Sequence, residues 1–283
     1  MTKLLQRLFI FFIGLPLVVF FVWFTKYNHI LLNIIIFFVS IIGVREMYAI
    51  FAHQLKLQPK PLIIILALIV PIFSIICATF NLPFSLTTLA FIISIIISMI
   101  YEIFFPGNDS GNLFEYSSAR VANTTLILTY VGFLLSFVSR MTVWESSRWF
   151  LILFLLMVYG CDSFAWFFGI ILGKNNRGFI KASPNKSIAG FIGGISTSIL
   201  CGILAHYMFP EIFTSLWKVI VLGLFTSVAA IFGDLIESVF KRGSAFKDSG
   251  QVIPGRGGIL DSIDSILIAA PIYYFCSKLF FGL

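Results

Sequence analysis

Apolar positions in this chain neither alternate nor recur on one helical face; they run together. Long stretches of Ile, Leu, Phe and Val are broken only by short polar punctuation. A helix crossing the ~30 Å hydrocarbon layer needs ~20 mostly apolar residues. The runs predict about nine such helices, near residues 8–24, 30–51, 61–80, 84–101, 123–141, 149–172, 187–208, 216–237 and 259–281. The expected fold class is all-α, a polytopic integral membrane protein.

The basic residues orient these helices. With the N-terminus in the cytoplasm, only Lys26, Arg140, Arg148, Lys218 and Lys278 of the 19 Lys and Arg fall on the opposite side. Such an asymmetry is the positive-inside signature and supports nine spans with a cytoplasmic N-terminus. Lys3 and Arg7, followed by the apolar run 8–24, resemble a signal peptide but lack an A-x-A cleavage pattern, so an uncleaved first span is expected. The place expected for the chain is a cell membrane, inner or plasma, crossed many times.

Composition agrees. The chain has 283 residues, 59% of them hydrophobic and 11% charged. An average soluble domain carries roughly 25% charged residues, so a water-soluble core is excluded. A net charge of +7 is accounted for by topology, and no nucleic-acid partner is expected. Cys77, Cys161, Cys201 and Cys276 all lie in apolar runs without a CxxC pair, which reads as buried small side chains. The sequons at Asn108 and Asn123 are read as chance. Two regions differ in composition. Residues 1–148 are N-terminal spans with short loops, including a polar loop at 105–122. Residues 149–283 hold nearly all the unusual polar residues and form the expected catalytic region.

Ionisable groups inside a span cost roughly 2.5–3.5 kcal/mol at its centre and face a cavity or a partner. Asp162 sits mid-span in "YGCDSFAWFFG", either as a packing acid or in a cavity wall. Asp234 and Glu237 in "GDLIES" share a helix face with Ser238 and, one turn later, Lys241. The last span opens "GGILDSIDSIL", with Asp261 and Asp264 again three apart. Acids on such a face must meet protein, water or an ion. Asp234 and Asp261 suit Mg²⁺, which takes one or two carboxylates plus water and substrate phosphates. The run "PGRGG" (254–258) before a helix start offers backbone N–H groups to an anion. Lys241, Arg242, Lys247 and Arg256 add phosphate donors. A second basic segment, "GKNNRGFIKASPNKSIAGFIGG" (173–194), places Ser183 and Lys186 toward a phosphate, with Ser187 as the alternative helix cap. These are parts for phosphoryl or nucleotidyl transfer. Neither a Walker pattern nor H-E-x-x-H nor a nucleophile elbow occurs.

The segment "SVFKRGSAFKDSGQVIPGRGGILDSID" (238–264) resembles the signature of the phosphatidate cytidylyltransferase (CDP-diacylglycerol synthase) family, with its spacing kept. "GDLIES", "DSFAWFFGIILGK" and "SPNKSIAGFIGG" are similar to other family segments. The resemblance implies a membrane enzyme of about nine helices that joins CTP and phosphatidic acid into CDP-diacylglycerol and pyrophosphate. It further implies a divalent metal, usually Mg²⁺, held by Asp234 and Asp261. The implied catalytic set is Asp234, Asp261, Lys241, Lys247 and Asp264. The implied substrate-binding set is Ser238, Arg242, Asp248, Arg256, Ser183, Lys186 and Asp162. Three positions depart from the family pattern: Arg256 replaces a His, Ser262 an Arg and Ala189 a Glu. Arg256 keeps a cation but cannot shuttle a proton near pH 7.

The expected reaction is in-line attack by a phosphatidate oxygen on the α-phosphorus of CTP, at a site facing the cytoplasm. The enzymatic alternative is a related CTP-dependent enzyme acting on an isoprenoid lipid. A catalytically silent paralogue serving as a membrane partner is another. A transporter would spread its acids through the membrane depth, whereas here they gather on one side. The sequence leaves a homodimer open.

Overall fold

The computed structural model describes residues 17–107, 113–246, 248–250, 252–253 and 257–283. Eight helices are long and apolar enough to cross a membrane: α1 (Lys26–Ala52), α2 (Lys60–Phe80), α3 (Ser85–Phe104), α4 (Ser117–Met141), α5 (Ser147–Ile171), α6 (Ile188–Met208), α7 (Leu216–Gly243) and α8 (Leu260–Phe281). No strand forms among the described residues, so the chain is an all-α, polytopic membrane protein. The first expected span lies partly outside the described residues; 17–23 are helical.

The helix faces are sorted as a bilayer demands. On α3, Thr87, Ala90, Ser94, Ser98 and Glu102 are buried, while Leu89, Ile92, Ile96 and Ile103 are exposed. Lipid solvates the Leu and Ile side, and the small or polar side packs on protein. Local signals set the helix ends. Asn81 takes a left-handed conformation (φ 53°) after α2, a C-cap conformation that Asn tolerates. Ser187, with extended backbone, accepts a hydrogen bond from the Gly190 N–H at 3.0 Å and starts α6.

One boundary differs from the sequence expectation. The polar loop expected at 105–122 is shorter, because α4 already begins at Ser117. Arg120 can enter the helix because Glu102 neutralises it at 2.6 Å with both side chains buried. Gln58 completes the cluster by donating to Glu102 at 2.9 Å. Further along α4, Leu128–Phe133 makes a π-helical turn.

Contacts divide the chain into two compact units, neither of them a consecutive stretch. One comprises Met1–Arg140 with Gly243–Ser262; the other comprises Met141–Arg242 with Ile263–Leu283. The second unit is packed through small residues. A Cβ on Gly223 of α7 would lie 2.9 Å from the Ser198 carbonyl oxygen of α6. A Cβ on Gly233 of α7 would collide with the Asp264 carbonyl oxygen of α8. Membrane helices lack a hydrophobic drive toward each other, and such close backbone approach supplies the van der Waals contact instead. Tyr273 of α8 donates to the Phe150 carbonyl of α5 at 2.8 Å, with its ring against Phe154.

Candidate active site

A cavity of about 400 Å³ opens in the second unit between α5, the loop 172–187, the start of α6 and α7. Asp162, Arg177, Ser183, Lys186 and Asp234 line it, with Trp166, Ile170 and Phe191 as apolar wall. Three elements supply these polar groups: α5 gives Asp162, the loop gives Arg177, Ser183 and Lys186, and α7 gives Asp234. Asp162 on α5 accepts from the Ser265 hydroxyl of α8 at 3.2 Å. Asp162 therefore both packs and lines the cavity, which joins the two readings the sequence left open. Lys186 stands at the end of a tight turn closed by its N–H on the Ser183 carbonyl (3.1 Å). The Ser187 cap then points the following helix away, and Lys186 pairs with Asp234 of α7. Arg177 donates to the Gly169 carbonyl at 2.7 Å, which fastens the basic loop to the end of α5.

Farther along α7, the expected stripe of Asp234, Glu237, Ser238 and Lys241 holds an ion pair of its own. Lys241 pairs with Glu237, which is fully buried. Ser238 is half-buried and Arg242 is exposed, its Nε at 3.5 Å from the Ala182 carbonyl. Asp264 is buried in α8, where its carboxylate accepts from the Ser265 N–H at 2.6 Å.

The signature loop belongs to the first unit. Lys247 and Arg256 lie outside the described residues, and Asp248 is exposed. Asp261 Oδ2 accepts from the Ser249 N–H (2.9 Å), the Ser249 hydroxyl (2.9 Å) and the Gly258 N–H (2.7 Å). The next two N–H groups, of Ile259 and Leu260, donate to Glu46 of α1 at 3.0 and 2.8 Å. Of the run 254–258 expected to approach a substrate anion, residues 254–256 lie outside the described residues; the N–H groups of Gly258, Ile259 and Leu260 donate to the protein's own carboxylates. An anion site needs donors without an internal acceptor, and these have one.

The structure therefore gathers Asp162, Ser183, Lys186 and Asp234 around one cavity, while Asp248 and Asp261 are described with the other unit. Sequence reasoning missed Arg177 and Glu46. Arg177 was one cation among several in a basic loop. Glu46 follows Arg45 near the end of a span and reads there as an ordinary polar helix end.

Two hard carboxylates in a cavity wall fit Mg²⁺, which leaves most of its coordination to water and phosphate oxygens. Among the described residues, no group of three or more His, Cys, Asp or Glu comes together as a complete metal cage. Of the expected metal pair, Asp234 lines this cavity beside Asp162, the second carboxylate there that suits the ion, whereas Asp261 belongs to the first unit and accepts from Ser249 and Gly258.

The model of the Cytidylyltransferase family matches residues 5–280. A phosphatidate cytidylyltransferase of Staphylococcus epidermidis is 36% identical over 163 residues, which are 58% of this chain and 60% of that protein. Proteins of the same name from Staphylococcus saprophyticus and Staphylococcus aureus are 33% and 34% identical over the same lengths. The match spans about three fifths of these curated relatives.

Proposed function

Because the chain belongs to the cytidylyltransferase family, we propose that it is a phosphatidate cytidylyltransferase, a nucleotidyltransferase that joins CTP and phosphatidic acid into CDP-diacylglycerol and pyrophosphate. The carrying observation is the cavity in which Lys186, Arg177 and Ser183 face Asp162 and Asp234 beside an apolar wall. Such a site takes a phosphate head with its cations and leaves lipid tails along Trp166, Ile170 and Phe191. We place it on the cytoplasmic side of the cell membrane, where the basic loop residues gather. CTP then arrives from water and the lipid from the bilayer.

A phosphatidate oxygen attacks the α-phosphorus of CTP in line. A new P–O bond forms, the bond to the β-phosphate oxygen breaks, and the electron pair leaves with pyrophosphate. The attacking phosphate is already largely ionised at neutral pH, so no strong general base is required. Catalysis comes from positioning and charge neutralisation. Lys186 and Arg177 orient the lipid phosphate, and Ser183 donates a hydrogen bond to it. Asp234 and Asp162 would hold Mg²⁺, which when bound offsets triphosphate charge. The family resemblance implies that Lys241, Lys247 and Arg256 supply further cations for the nucleotide.

The test is conversion of labelled phosphatidic acid by the purified protein in detergent, with CTP, with and without Mg²⁺. Metal-dependent formation of CDP-diacylglycerol is expected. Turnover of a prenyl alcohol or phosphate in its place would move the assignment to an isoprenoid lipid, and no turnover of either lipid would overturn the enzymatic reading.

A further inference from the structure

Glu46 lies on α1, about two hundred positions before the signature loop, and is buried. Its Oε1 accepts from the Ile259 N–H at 3.0 Å. Its Oε2 accepts from the Leu260 N–H at 2.8 Å and the Ser249 hydroxyl at 3.2 Å. First-turn N–H groups have no intrahelical acceptor, and leaving them buried and unmet is costly. A carboxylate there also complements the positive end of the α8 dipole.

Two signature glycines are explained by the same approach. A Cβ on Gly250 would lie 2.6 Å from Glu46 Oε1, and one on Gly258 would lie 2.5 Å from Oε2. The loop thus converges on one side chain from both of its arms, Ser249–Gly250 and Gly258–Leu260. Asp248 and Asp261 each stand one residue beyond a group that Glu46 binds. Ser249 links Glu46 to Asp261, because its hydroxyl is also 2.9 Å from Asp261 Oδ2.

We propose that Glu46 is a positioning residue that holds two segments of the signature, Ser249–Gly250 and Gly258–Leu260, in the conformation used when CTP binds. The inference rests on the cytidylyltransferase reading above. Without the carboxylate, nucleotide binding itself must order the loop, so the loss falls on the affinity for CTP and not on the lipid. Glu46→Gln keeps the size and one carbonyl acceptor but loses the charge, so it retains part of the effect.

The experiment uses the full chain in detergent as wild type, Glu46→Ala and Glu46→Gln. Two quantities are read: steady-state kinetics with each substrate varied, and amide hydrogen exchange over 258–261. Glu46→Ala is expected to raise KM for CTP about tenfold, with KM for phosphatidic acid unchanged. Exchange at Ile259 and Leu260 should accelerate by about tenfold or more, with Glu46→Gln between the two. General destabilisation would lower the active fraction, hence kcat, at constant KM. That pattern, or unaltered exchange in both variants, overturns the proposal. If Glu46→Ala does not fold, Glu46→Gln decides on the same readouts. If the wild type makes no CDP-diacylglycerol, the enzymatic reading and the CTP part fall together, and exchange alone decides whether Glu46 fastens the loop.

Discussion

Lys186, at the turn that leads into α6, forms an ion pair with Asp234 of α7, and both side chains line the same cavity. Their side chains are 23% and 29% exposed, so water reaches the pair. Asp234 cannot fully serve a cation and Lys186 at once, so in the proposed reaction Mg²⁺ and substrate would compete with this contact. Asp234→Ala is expected to lower kcat/KM by about 10²-fold or more, and Lys186→Ala by about 10-fold or more. The double variant should lose less than the product of the two, because both changes break one pair. Rates of CDP-diacylglycerol formation across the four proteins measure this. Simple multiplicativity would show that the residues act separately.

Asp162 has a packing partner and a cavity position, and two substitutions separate these. Ser265→Ala removes the donor and should cost about 0.6 kcal/mol of stability, the average for a hydrogen bond between membrane helices. Asp162→Asn keeps an acceptor for Ser265 but loses the charge, so its thermal midpoint should stay near wild type while the Mg²⁺ concentration for half-maximal activity rises several-fold. An Asp162→Asn protein with an unchanged Mg²⁺ requirement would confine the residue to packing.

The α7–α8 contact leaves no room at Gly233, where an added methyl meets the Asp264 carbonyl oxygen and comes within 3.0 Å of Ser265 Cα. Gly233→Ala should therefore destabilise by about 1–3 kcal/mol. Gly243 at the end of α7 has nothing within 4 Å of an added Cβ. Gly243→Ala should stay within about 0.5 kcal/mol of wild type. Thermal melts in detergent compare the two, and an equal loss at both positions would contradict the packing account.

In the first unit, Glu102 and Arg120 are 7% and 6% exposed and share two hydrogen bonds from Arg120 Nε at 3.1 Å. Removing one partner strands a buried charge, so Glu102→Ala or Arg120→Ala should each cost about 3–5 kcal/mol. Replacing both with apolar residues of similar size should recover much of that. Denaturation of the three variants checks it. A double variant as unstable as the sum of the singles would argue that the pair's geometry, and not its charge balance, holds α4 to α3.

Much of the fold was legible because lipid burial needs no pattern, only length and apolarity. The ends of α2, α6 and α8 lie within a few residues of the apolar runs, and Ser187 was readable as a cap from its position before a helix. The start of α4 was not legible, since it depends on Glu102 of another helix accepting Arg120. Asp234 and Lys186 could be singled out as acids and cations on polar faces, but nothing in their local sequence pairs them across 48 positions. Glu46 was invisible for the same reason, with its acceptor role defined by Ile259, Leu260 and Ser249 at the far end of the chain.

What the sequence determined alone is the all-α membrane architecture, the gathering of polar residues into two segments, and the family signature. Each is a property of residues and their neighbours along the chain. Only the tertiary structure decided the distant partners: Lys186 for Asp234, and the first N–H groups of α8 for Glu46. A buried charge must be matched by whichever group lies across space, and that group comes from whatever helix the packing of small residues brings near.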